Sequence, residues 1–221
     1  MTGRDNELWQ QCWRDRQTGF HQQATNDLLI RFWQTLGLKP AERVFVPLCG
    51  KSLDLLWLAA QGHAVIGVEL SPIAVQAFFE ENGMVASLSQ HGSFTRWQSG
   101  GLEILCGDFF DLAATDLGDI AAVFDRASLT ALPEDIRHAY LAHLRKILPK
   151  NCPMFLLTTE DPDEDEAEDQ DFAVADEITN LYADAFEISL HHVESVYEAD
   201  ADATVKIPVR VEHKVYLLRP K

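Results

Sequence analysis

The sequence predicts an α/β fold: a mostly parallel seven-stranded sheet, helices on both faces, and a C-terminal antiparallel hairpin. Three observations carry this. Short apolar runs alternate with segments of helical period, as in consecutive strand–helix units. The run Arg43-Val44-Phe45-Val46 leads into a tight turn, Pro47-Leu48-Cys49-Gly50-Lys51-Ser52, and a carboxylate, Glu69, closes a second apolar run nineteen residues after the glycine. The last two apolar segments, 187–197 and 209–218, are long and flank a polar stretch, which is the pattern of a hairpin. The 221 residues suit one domain, 1–221, whose N-terminal helical part (about 1–36) is expected to form a lid.

Each element has its own signals. Thr25 or Asn26 can cap a helix through Leu28, Leu29, Phe32, Trp33 and Leu36, which Gly37 and Pro40 stop. Strand 44–46 follows. Ser52 is expected to cap a helix through Leu55, Leu56 and Leu58 that ends at Gly62, and 64–68 reads as a buried parallel strand. Ser71 and Pro72 open the next helix, which carries Ile73, Val75, Phe78 and Phe79 and ends near Asn82-Gly83. Residues 94–97, the turn Ser99-Gly100-Gly101 and 102–106 form a hairpin feeding a third core strand. A fourth strand, 121–124, ends at Asp125-Arg126, and Pro133-Glu134-Asp135 opens a helix through Ile136, Tyr140, Leu144 and Ile147. A fifth strand spans 153–158, and 172–186 has the spacing of an amphipathic helix.

Bulk properties exclude several function classes. No apolar run approaches the roughly 18 residues of a membrane helix, so a soluble, cytoplasmic protein is expected. The net charge of −17 argues against nucleic acid as a partner, because phosphate backbones are bound by clustered Lys and Arg. The four cysteines, Cys12, Cys49, Cys106 and Cys152, lack paired spacing and read as core filler in a reducing compartment. From Glu160 to Asp171, nine of twelve residues are acidic; a solvated loop explains them better than a metal site, and no metal is expected. A monomer is expected.

Ligands of an open parallel sheet lie at the carboxyl ends of its strands, so four such ends define one cleft: Leu48 with the Gly50 turn, Glu69, Asp108-Phe109 and Asp125-Arg126. A dinucleotide fold places several glycines in the first turn, so that backbone N–H groups can close on a pyrophosphate. This turn has one. S-adenosylmethionine has no phosphate but does need a carboxylate for its ribose, which fits Glu69. Leu48 is expected at the amino acid end of the cofactor, and Asp108 and Phe109 at the adenine. Trp9 and Trp13 share a helical face, with Phe20-His21 shortly after; docking on the core and covering a sulfonium cation both fit that pattern.

Trp9-x3-Trp13, Phe20-His21, Val44–Lys51, Gly62-His63-x-Val65-x-Gly67-Val68-Glu69-Leu70-Ser71, Phe110-Asp111-Leu112, Phe124-Asp125-Arg126-Ala127-x-Leu129 and Tyr216-Leu217-Leu218 together resemble the thiopurine S-methyltransferase family. The resemblance implies a Rossmann-like class I methyltransferase that moves a methyl group from S-adenosylmethionine to a thiopurine or related aromatic thiol and leaves S-adenosylhomocysteine. It implies that Trp13, Leu48, Glu69 and Arg126 bind the cofactor, with Trp9, Phe20, Asp108 and Phe109 completing the pocket. Arg126 is expected to stabilise the cofactor carboxylate or the acceptor thiolate, and His21 is a conceivable proton acceptor. Past residue 158 the chain departs from the family pattern on the acceptor side, with its acidic run and Asp200-Ala201-Asp202; Lys206 or Arg210 are the cations available there. Alternatives are methylation of selenium or tellurium compounds or small thiols, and a non-catalytic nucleoside-binding module.

Overall fold

The computed structural model describes residues 3–126, 128–160, 175–199 and 208–221. The acidic run beyond Glu160, Asp200–Asp202 and Lys206 lie outside the described residues. Among the described residues nine strands form one mixed sheet: β1 (Arg43–Val46), β2 (Ala64–Glu69), β3 (Ser87–His91), β4 (Phe94–Ser99), β5 (Leu102–Cys106), β6 (Ile120–Arg126), β7 (Met154–Glu160), β8 (Phe186–Ala199) and β9 (Pro208–Pro220). Their order is β3-β4-β5-β2-β1-β6-β7-β9-β8. The five strands β5, β2, β1, β6 and β7 run parallel, and β9 and β8 add the antiparallel hairpin. These are the seven expected strands. Two more extend the opposite edge, because the 94–99 arm pairs with β3 as well as β5. Ser87-Leu88-Ser89-Gln90-His91 is exposed along almost its whole length, so it carries no apolar alternation from which a strand could be read.

The period-2 rule sorts the core. Phe45, Val123, Leu156 and Tyr216 point to one face and pack with Tyr140, Leu141 and Leu144 of α7 (Glu134–Ile147) and Ile178 and Tyr182 of α8 (Asp176–Tyr182). Their neighbours Val44, Val46, Phe124, Phe155 and Val215 point to the other face. There they meet Leu28 and Leu29 of α2 (Asp27–Phe32), Leu55 and Leu58 of α3 (Asp54–Ala60), and Val75, Phe78 and Phe79 of α4 (Pro72–Glu81). Burial on both faces is why the central strands read as unbroken apolar runs.

The caps are local chemistry. Asn26 Oδ1 accepts the Leu28 and Leu29 N–H groups, and Ser71 Oγ accepts that of Ala74, with Pro72 at the first helical position. Helix α2 tightens into a 3₁₀ turn over Trp33–Leu36 and stops at Gly37, φ 70°. Helix α3 differs from the expectation: it begins at Asp54 with Leu53 in the capping position. Ser52 Oγ accepts the Asp54 N–H at 3.2 Å and is turned toward Arg126. The 172–186 helix is α8 alone among the described residues. Remaining helices are α1 (Gly3–Arg14), α5 (Ala114–Leu117) and α6 (Ser128–Ala131). Among the described residues no helix is long and apolar enough to cross a membrane.

Candidate active site

A cavity of about 660 Å³ opens at the carboxyl ends of β1, β2, β5 and β6, roofed by α1. The cleft position follows from the parallel topology. All eight expected residues line it: Trp9, Trp13, Phe20, Leu48, Glu69, Asp108, Phe109 and Arg126.

The β1–α3 turn is shaped by two left-handed residues. Gly50 adopts φ 53° at no steric cost, whereas Leu48 adopts φ 47°, a conformation that costs a branched side chain about 1–3 kcal/mol. The surrounding structure enforces it: the Cys49 N–H donates to the Val68 carbonyl at 3.0 Å, and the Gly50 N–H donates to Glu69 Oε2 at 2.9 Å. Glu69 Oε1 accepts the Ser71 N–H at 2.7 Å. Both carboxylate oxygens are thus fixed by backbone while each retains accepting capacity toward the cavity. Burial pushes the Glu69 carboxyl up, against the lowering effect of the Ser71, Gly50 and Leu70 amides. Behind the turn, a methyl at Gly67 would lie 2.7 Å from Cys49 Sγ, so only glycine lets β2 pass this close.

At the end of β5, Asp108 Oδ1 caps a 3₁₀ turn (Phe109–Asp111) by accepting the Phe110 N–H at 3.0 Å. Phe109 is buried against Tyr140, ring centroids 4.8 Å apart. At the end of β6, Arg126 is held by a partner that sequence reading missed. Its Nε lies 2.8 Å from Asp54 Oδ2, and its Nη2 donates to Ser52 Oγ at 3.0 Å. Asp54 is wholly buried, and its Oδ1 accepts the Asn26 N–H at 2.8 Å. The only sequence signal was an acid in the first helical turn, which ordinarily answers the helix dipole.

The roof is aromatic. Phe20 stands edge-on to both Trp9 and Trp13, with 5.5 Å centroid separations. Trp13 is buried, and a methyl at Gly50 would touch its ring at 3.4 Å. Asn6, a second residue missed from sequence, donates from Nδ2 to Asp108 Oδ2 at 2.6 Å. Beside the roof, Lys51 Nζ binds both Glu81 oxygens at 2.7 and 2.8 Å. His21 also lines the cavity; burial, then the charges of Lys51 and Arg126, lower its imidazole from the ordinary histidine value, with Glu81 opposing them.

The family model described as thiopurine S-methyltransferase matches residues 4–221. The chain belongs to this family. It is 52% identical over 221 residues to the thiopurine S-methyltransferase of Stutzerimonas stutzeri (strain A1501), covering 100% of this chain and 93% of that protein. It is 41% identical over 217 residues to the thiopurine S-methyltransferase of Methylococcus capsulatus (strain ATCC 33009 / NCIMB 11132 / Bath), covering 97% of each. Among solved structures, a SAM-dependent methyltransferase from Anabaena variabilis superposes with a TM-score of 0.68 at 15% identity, covering 98% of this chain and 95% of that one. A Burkholderia thailandensis 1,6-didemethyltoxoflavin-N1-methyltransferase, solved with bound 1,6-didemethyltoxoflavin and S-adenosylhomocysteine, gives 0.61 at 13% identity, covering 97% of this chain and 87% of that one. At such identities these likenesses establish the fold: that of the class I S-adenosylmethionine-dependent methyltransferases.

Proposed function

We propose that this enzyme methylates the sulfur of thiopurines or related aromatic thiols with S-adenosylmethionine, in the cavity at the strand ends. The observation that carries the reading is Glu69, a buried carboxylate presented to that cavity by two backbone N–H donors behind a turn with a single glycine. Such a group suits ribose hydroxyls, and the turn lacks the glycines of a pyrophosphate cradle. The residues present therefore fit an adenosyl sulfonium: Glu69 for the sugar, Asp108 and Phe109 for the base, and the Leu48–Gly50 turn for the amino acid end. When bound, that group supplies an electrophilic methyl on a positively charged sulfur.

The chain's own residues do the rest. Trp9, Trp13 and Phe20 form a lid that excludes water and offers π faces to a cation. Arg126, locked by Asp54 and Ser52, presents positive charge to the cofactor carboxylate or to a developing thiolate without having to reorganise. Displacement at carbon needs no covalent enzyme intermediate, so the protein's task is alignment. An acceptor that arrives as a thiol must lose its S–H proton, and His21, which lines the cavity and whose neutral form is favoured by its lowered imidazole pKa, would take it on a ring nitrogen. The test is S-adenosylhomocysteine release from S-adenosylmethionine with 6-mercaptopurine against a blank without acceptor. Release above the blank is expected; release equal to the blank refutes the acceptor assignment.

A further inference from the structure

The roof helix carries a buried acceptor that the described residues do not satisfy. Asn6 Nδ2 donates to Asp108 Oδ2 at 2.6 Å, and this fixes the amide, because a carboxylate accepts only from the NH₂ side. Asn6 Oδ1 is thereby turned away from Asp108 and lies buried with no hydrogen-bond partner. Both residues line the cavity. Asp108 is not saturated either: Oδ1 accepts from the Phe110 N–H and Oδ2 from Asn6, and each oxygen has room for a further donor. This corner of the cavity thus offers two acceptors, and Lys51 and Arg126 are committed elsewhere, to Glu81 and Asp54. What it calls for is one group with two N–H bonds.

We propose that Asn6 is a specificity residue for the nucleobase: the exocyclic amino group of adenine donates one hydrogen to Asp108 and the other to Asn6 Oδ1. The proposal rests on the cofactor reading above. Glu69 and Cys106 are register partners on adjacent strands, and Asp108 follows Cys106 by two residues, so a sugar on Glu69 directs its base toward Asp108. Because Asn6 sits on α1 while Asp108 belongs to the sheet, the shared amino group ties lid closure to the identity of the base. A ligand without that amino group leaves Oδ1 stripped of water and unpaired.

The test is calorimetric titration of S-adenosylhomocysteine, and of its purine-riboside analogue lacking the 6-amino group, into the wild type, Asn6→Ala and Asn6→Leu. Wild type should prefer the amino ligand. Both variants should bind S-adenosylhomocysteine about three- to tenfold more weakly and bind the analogue with nearly wild-type affinity. Melting curves of the same samples establish that each variant is folded, and Asn6→Leu keeps the side-chain bulk if the alanine variant is not. Equal losses for both ligands would mean that Asn6 only shapes the lid, and unchanged affinities would mean that it does nothing; either overturns the proposal. If the wild type binds neither ligand, the cofactor reading itself fails, and that result appears before any substitution is made.

Discussion

Replacing Glu69 with glutamine separates what this residue does for the ligand from what it does for the fold. In the wild type its two oxygens accept the Gly50 N–H at 2.9 Å and the Ser71 N–H at 2.7 Å. Glutamine keeps one of these bonds and turns an NH₂ toward the other donor. It also removes the charge that makes the carboxylate a strong partner for ribose hydroxyls; hydrogen bonds to charged groups contribute about 1.5–3 kcal/mol, so the Kd for S-adenosylhomocysteine should rise by about ten- to a hundredfold. Stability should change less, because the lost backbone bond is offset by no longer burying a charge. Calorimetry and thermal melting read the two quantities separately. A folded variant whose Kd stays within about twofold of wild type refutes the placement of the ribose.

The pH dependence of the wild type gives an independent check. The Glu69 carboxyl is raised by burial, so its proton is favoured in the fold. Its contribution to the stability of the free protein is complete below the unfolded-state pKa and is lost as pH rises through the higher folded value. Ligand affinity runs the other way and falls as pH drops through that folded value, because the acceptor charge disappears. Glu69→Gln should flatten both trends.

Three further outcomes are expected. Gly67→Ala places a methyl 2.7 Å from Cys49 Sγ and 3.2 Å from Leu55 Cδ2 and should cost about 1–3 kcal/mol in urea unfolding, part of which Cys49→Ala in the same chain should restore; no restoration would mean the clash lies elsewhere. Lys214 lies 3.1 Å from Glu160 and 3.2 Å from Glu212, and although its burial works against the charge, those two carboxylates hold its pKa up; Lys214→Met should cost about 3–5 kcal/mol in the same assay, with the deficit shrinking as acid neutralises them. For His21, kcat/KM with a weakly acidic thiol should stay level near neutrality and fall as pH drops through the lowered imidazole pKa; His21→Gln should abolish that acid limb, and an unchanged limb would remove His21 from the reaction.

The central fold was legible because strands buried on two faces leave no room for ambiguity. Val44–Val46, Ala64–Val68 and Phe155–Leu157 are apolar at every position, and Ser71-Pro72 and Asn26 are caps that act within four residues of their targets. What escaped was whatever depends on distant neighbours. Among the described strands β3 pairs with β4 alone, a His91–Asp116 contact ties its end to α5, and it carries no apolar face of its own. The start of α3 shifted because Ser52 faces Arg126, 74 positions away. The same holds for the site. Glu69 and Asp108 could be placed because strand ends converge by topology. Asp54 and Asn6 could not, since an acid in a first helical turn and an asparagine in a polar N-terminal segment each have ordinary explanations, and only the folded chain brings them to Arg126 and Asp108.

Cys49 buries a sulfur of the protein behind the turn that lines the cavity proposed to handle a reactive methyl group and a sulfur acceptor. Thiolates, not thiols, attack such electrophiles. Burial, and then the charge of Glu69, push the Cys49 thiol far up, and the same two causes raise Cys106 to about 11. At neutral pH both therefore remain protonated and poorly nucleophilic. Burial, seconded by the carboxylate proposed to hold the sugar, thus silences a rival nucleophile, so that the enzyme can keep an alkylating agent close to its own cysteine without becoming the product.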